Sequence, residues 1–122
     1  MHRVFLSTIV IAIANVAVAQ TTPRARAHHS IVYDEANKRV VLFGGSTPVD
    51  GGSRFDFFDD MWAFDGKAWT PLAASGEKLS GLGAAYDSRS GVITSFGGYN
   101  GSSSVGPVRV MENGRASCRE RV

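Results

Sequence analysis

The sequence predicts an all-β protein built from repeated antiparallel, four-stranded units. Three observations carry that expectation: two motifs recur at one spacing, β-branched runs end in glycine pairs, and no helical period follows the opening segment. Tyr33-Asp34 returns as Tyr86-Asp87, and Phe43-Gly44-Gly45 returns as Phe96-Gly97-Gly98, both displaced by 53 residues without a gap. Between these anchors Val40 is matched by Ile93, while Val41-Leu42 is answered by the more polar Thr94-Ser95. A period near 50 belongs to propeller-type arrays, in which each repeat is a sheet that its neighbours must cover.

Taken in order, the chain opens with His2 and Arg3, then an apolar stretch from Val4 to Val18 interrupted only by Ser7, Thr8 and Asn15. Ala17-Val18-Ala19 places small residues ahead of Gln20, which completes the layout of a secretory signal peptide over residues 1–19. The stretch is shorter than the roughly 18 to 20 clean apolar residues of a spanning helix. The remaining chain is therefore expected to be secreted, periplasmic or cell-surface, with no membrane span after cleavage.

Residues 20–75 read as the first unit. His29 to Tyr33 is a short strand ending in the polar turn Asp34-Glu35-Ala36-Asn37, and Arg39 to Phe43 is a β-branched run stopped by Gly44-Gly45. Asp60 to Phe64 and Ala68 to Leu72 flank Asp65-Gly66, a type I′ hairpin signal. Pro71 lacks an N–H and suits only an edge strand, so the unit is a meander with its last strand outermost. Residues 76–113 read as an incomplete second unit, with strands at Gly81 to Tyr86, Val92 to Phe96 and Val108 to Glu112 and a Gly/Ser loop from Asn100 to Gly106. Residues 114–122, GRASCRERV, break with this pattern and show no strand alternation. The string resembles one reading frame of a common sequencing-library adapter, so it is read as an adapter-derived tail in which Cys118 carries no chemistry.

The charge balance removes one class of partner. The whole chain has 13 Lys and Arg against 11 Asp and Glu, but residues 20–113 keep nine basic and ten acidic side chains. A nucleic-acid surface needs a clustered excess of cations, and none remains. A single cysteine excludes an internal disulfide and a paired-Cys zinc site. No cofactor and no metal are expected.

Five groups of side chains invite chemistry. Asp50, Asp56, Asp59 and Asp60 lack the spacing of a calcium loop and read as solvated carboxylates. His28 and His29 point to opposite strand faces, so one buried or channel-facing imidazole is expected rather than a metal pair. Asp34 and Asp87 are placed to accept turn N–H groups, and Asn100-Gly101-Ser102 has the form of a glycosylation sequon. Ser46 to Asp59, fourteen residues joining strands that need far fewer, is read as a long loop. Its Arg54, Phe55, Asp56 and Phe57 are the candidate ligand-binding residues, because aromatics beside Arg are common in recognition.

Arg26-x-x-His29-x-x-x-Tyr33-Asp34, RVVLFGG and DMWAFDGKAWTPL together resemble the Kelch repeat, and most closely its exported bacterial members. The likeness covers one complete unit and most of another. It departs from the pattern where Leu79 and Leu82 stand in place of a basic residue and a histidine. The resemblance implies a β-propeller of radially arranged four-stranded blades, the first strand of each lining a channel. Its structural residues here are Tyr33, Asp34, Gly44, Gly45, Trp62, Trp69, Tyr86, Asp87, Gly97 and Gly98, with Trp69 expected between adjacent sheets. Propellers of 4 to 8 blades need roughly 210 to 420 residues at this period. The chain is thus expected to be an N-terminal fragment whose partners are the missing blades of the same parent chain. An isolated pair would leave two apolar faces open, a deficit on the order of 10 kcal/mol.

No nucleophile–base pair, carboxylate pair or metal cluster is visible, so catalytic residues are expected to be none. The expected function is a binding or interaction scaffold for a protein or glycan ligand. The alternative is the N-terminal part of a propeller enzyme of the galactose-oxidase-like or sialic acid mutarotase type. The copper oxidases of that group need a cysteine, which residues 20–113 lack. A purely structural piece of a larger surface protein is the third class.

Overall fold

Arg39–Phe43 carries two valines, a leucine and a phenylalanine, side chains suited to a pleated, buried surface, and forms the strand on which the first sheet is centred. The computed structural model describes residues 21–106, 108–112 and 115–121. The signal peptide expected over residues 1–19 lies outside the described residues. Strands β1 (Ser30–Asp34), β2 (Arg39–Phe43), β3 (Ser46–Val49), β4 (Arg54–Phe57), β5 (Met61–Phe64) and β6 (Trp69–Leu72) belong to the first unit. Strands β7 (Gly83–Asp87), β8 (Val92–Phe96), β9 (Val108–Glu112) and β10 (Arg115–Arg121) belong to the second. The described residues are all-β apart from a 3-10 turn at Asp50–Gly52.

Two four-stranded antiparallel sheets result, ordered β1-β2-β5-β6 and β7-β8-β9-β10. Their registers repeat at the sequence offset. Ser30 faces Phe43 and Asp34 faces Arg39 in the first; Gly83 faces Phe96 and Asp87 faces Val92 in the second. The isolated bridges Ala27–Ser46 and Ser80–Tyr99 also differ by that offset. Left-handed backbone recurs in step as well, at His28 (φ 54) and Gly81 (φ 71), and at Lys38 (φ 53) and Gly91 (φ 68). The second copy meets this requirement with glycine, which has no Cβ penalty there, whereas the first bears it on side-chain-carrying residues.

The sheets pack face to face. Val32, Val41, Phe43 and Met61 from the first meet Ile93 and Met111 from the second, with Leu72, Leu82, Ala84 and Tyr86 at the margin. Polar bonds pin the junction: Gly45 N–H donates to Leu79 O at 2.7 Å, Gly81 N–H to His28 O at 2.8 Å, and Ala36 N–H to the Tyr86 hydroxyl at 3.1 Å. Gly44 explains the double glycine. Its φ is 68°, and a Cβ there would lie 2.8 Å from both Leu79 O and Leu82 Cδ2.

Several expectations need correction. Ser46–Asp59 is not an open loop: β3 and β4 pair from Ser46–Phe57 to Val49–Arg54 as a separate hairpin inserted between β2 and β5. Arg115–Arg121 is not without strand structure; it forms β10 on the outer edge of the second sheet, with a register shift between Arg115 and Arg119. The Asp65-Gly66 turn is not type I′, because only Gly66 has positive φ. Asp65 instead accepts from the N–H groups of Lys67 and Ala68 at 2.8 and 3.0 Å, an Asx-type closure that needs no left-handed Asp. His28 and His29 are both exposed, so neither is a buried imidazole. The deeply buried tryptophan is Trp62, 5% exposed. Trp69 is half-buried and leans on Phe64, with ring centroids 5.1 Å apart.

Candidate functional site

The inserted hairpin brings an exposed aromatic side chain, Phe55, close to the second unit. Arg54-Phe55-Asp56-Phe57 alternates along β4, so Phe55 and Phe57 share one side and Arg54 and Asp56 the other. Phe57 reaches the second unit: its ring meets Tyr99 edge-on at 5.9 Å. A Cβ on Gly101 would lie 3.0 Å from Phe57 Cε2, so a glycine there lets the two loops close. Phe55 stays 52% exposed and Tyr99 45%.

Beneath the hairpin lies a cleft of about 510 Å³, whose wall includes Arg24, Phe55, Phe58, Asp59, Lys78 and Asn100. Asp56, Phe57 and Asp60 complete it. A second recess of about 390 Å³ runs along the Phe57–Tyr99 contact, between Arg54 and Ser102. Both are open troughs rather than enclosed chambers, and together they join the hairpin of one unit to the Tyr99–Ser102 segment of the other.

Asp60, on the cleft lining, is held by a buried cation behind it. Arg26, whose side chain is 2% exposed, donates to Asp60 Oδ1 at 2.6 Å and to Oδ2 at 2.8 Å, and also to Gly44 O at 3.2 Å. This is the bidentate fork that gives a carboxylate both direction and strength. Trp62 Nε1 donates to the same Asp60 Oδ2 at 2.7 Å, and the Arg26 guanidinium lies 4.0 Å from the Phe58 ring centroid. Arg24 also lies over Phe58, at 5.3 Å. Partial burial pushes the Asp60 carboxyl up, but the hydrogen bonds from Arg26 and Trp62 and the Arg26 charge outweigh it and hold the group below its ordinary value. Asp60 is therefore not a solvated loop carboxylate.

The other expected positions separate into two sets. Asp34 accepts from Asn37 N–H at 3.2 Å and pairs with Arg39 at 3.1 Å; Asp87 accepts from Arg89 N–H at 2.9 Å. The hydroxyl of Ser90, followed by Arg89 N–H, holds the Asp87 carboxyl below its usual range. Gly45, Gly97 and Gly98 close the strand ends with φ of 98, 77 and 108°. Tyr86 faces the first sheet, whereas its counterpart Tyr33 is 53% exposed. None of these line the cleft. Of the hairpin candidates, Phe55, Asp56 and Phe57 do, while Arg54 sits on the neighbouring recess and pairs with Asp50 at 3.4 Å.

Arg24, Lys78 and Tyr99 were absent from the sequence-based candidates, because each comes from a segment remote from the hairpin in the chain. Among the described residues no three His, Cys, Asp or Glu side chains gather closely enough to hold a metal ion. No protein-family model matches the chain, and no curated protein matches it.

Proposed function

We propose that the two sheets are adjacent blades of an exported Kelch-type β-propeller that serves as a binding scaffold, with its ligand held in the cleft under the β3–β4 hairpin. The observation that carries the binding role is the pairing of bare aromatic surface with a fixed polar floor. Phe55 is 52% exposed beside a 510 Å³ trough, while the Arg26–Asp60 fork below it cannot rearrange without stranding a buried charge. Pockets that select ligands combine such apolar walls with a few placed polar groups. The repeat at 53 residues, shared by strands, bridges and left-handed positions, supports the blade reading. The signal-like segment before residue 20 supports export.

Full-length protein screened against soluble oligosaccharides and a random peptide library tests this role. Retention of a probe by the wild type and at least tenfold weaker binding by Phe55→Ala are expected. Equal binding by both, or no bound probe in either panel, would remove the cleft as a ligand site.

A further inference from the structure

Three recesses share Asn100. It lines the cleft under the hairpin, the recess along the Phe57–Tyr99 contact, and a third of about 320 Å³ beside Glu77, Leu79 and Val105. The backbone holds its amide in one orientation. The N–H groups of Ser102 and Ser103 donate to Asn100 Oδ1 at 2.9 and 2.8 Å, which identifies the oxygen end of the amide and leaves both hydrogens of Nδ2 to give. The loop is tied twice more, by Asn100 N–H to Ser103 O at 3.2 Å and by the Tyr99 hydroxyl to Gly101 O at 2.8 Å. Asn100 Nδ2 has no partner among the described residues. Four charged side chains of the cleft, Arg24, Lys78, Asp56 and Asp59, likewise form no ion pair among the described residues. The charge of Asp60 is already met by Arg26. Two free cations and two free carboxylates thus balance around one trough.

We propose that the ligand of this cleft is a neutral oligosaccharide, and that Asn100 Nδ2 is a specificity-determining donor to one of its oxygens. The inference rests on the binding role proposed above and narrows it to one chemical class. A group of net charge would meet attraction from one pair of the free side chains and repulsion from the other. A hydroxyl satisfies both pairs, because it donates its hydrogen to a carboxylate and accepts from a cation or an amide at the same oxygen. Adjacent hydroxyls on a sugar ring present such groups in series. A peptide amide divides donor and acceptor between two atoms that point opposite ways, so it cannot bridge a carboxylate and a neighbouring cation as one hydroxyl does. A sugar ring also has a face of C–H groups. The electron-rich face of an exposed aromatic ring, as at Phe55 (52% exposed) and Tyr99 (45%), suits that face.

The test probes the full-length protein with neutral, sulfated and uronate-containing oligosaccharides and with a random peptide library, beside the variant Asn100→Asp. Aspartate keeps an oxygen for the N–H groups of Ser102 and Ser103, and so preserves the turn, but has no Nδ2 hydrogens to give. The wild type is expected to retain neutral oligosaccharides. Asn100→Asp is expected to unfold at the wild-type urea midpoint and to bind the same oligosaccharides more weakly by about tenfold or more. Equal binding of neutral oligosaccharides by the variant and the wild type overturns the proposal. Retention of peptides alone, or of sulfated or uronate-containing oligosaccharides alone, also overturns it; the cleft then stands as a ligand site if Phe55→Ala weakens that retention. Absence of any bound probe removes both this inference and the binding role beneath it.

Discussion

Asp60 joins three segments of the first unit, since Arg26 and Trp62 both donate to it. Asp60→Asn keeps an acceptor for Trp62 but leaves the guanidinium of a 2%-exposed side chain without its counter-charge. A fully buried pair broken this way loses about 3 to 5 kcal/mol. The Asp60 side chain is 37% exposed, so screening lowers the expected loss to about 1 to 3 kcal/mol. Its folded-state pKa is lowered, so the contribution is fully present above the ordinary value of 3.8 and is lost as pH falls through the lower folded value. The stability gap between wild type and Asp60→Asn, read from urea midpoints at fixed concentration, should therefore shrink below about pH 4. Backbone handedness gives a second test. Lys38→Gly should stabilise by up to about 1 kcal/mol, because Lys38 holds the left-handed conformation that Gly91 holds in the second unit. Gly44→Ala should cost more than about 2 kcal/mol, since its Cβ would meet a backbone oxygen as well as adopt positive φ. Gly51→Ala, with nothing within 4 Å of its Cβ, should cost only the conformational penalty. Of these residues, the glycine pairs were legible from the repeat. The Arg26–Asp60 fork was not, because its partners lie 34 positions apart with no pattern linking them.

At the level of strands, β2, β8 and β9 fall where the β-branched runs place them, and β6 carries Pro71 on the edge where a missing N–H is harmless. The hairpin β3–β4 was obscured by composition. Pro48, Asp50, Gly51 and Gly52 read as loop residues, yet the turn they build is what lets Arg54–Phe57 fold back on Ser46–Val49. The period-2 alternation of Arg54-Phe55-Asp56-Phe57 is the signal that could have revealed β4. The roles of the tryptophans could not be separated by sequence, because both sit at alternating strand positions followed by turns or prolines. Burial separates them. Trp62→Ala should cost about 3 to 5 kcal/mol, whereas Trp69→Ala, losing half-buried area against Phe64, should cost about 1 to 2 kcal/mol. Equal losses in denaturant titrations of the two variants would contradict this assignment.

For the molecule as a whole, tandem all-β organisation was legible because two motifs locked at one distance demand two equivalent sheets. The order of contacting faces was not, since the register that sorts residues between the two sides emerges only when the strands are paired. The two units also differ at the cation of this fork. Leu79 stands in the second unit where Arg26 stands in the first, one repeat offset away. A chimera that took the Leu79 segment in place of the Arg26 segment would therefore leave Asp60 with the indole of Trp62 but without the guanidinium that grips both its oxygens.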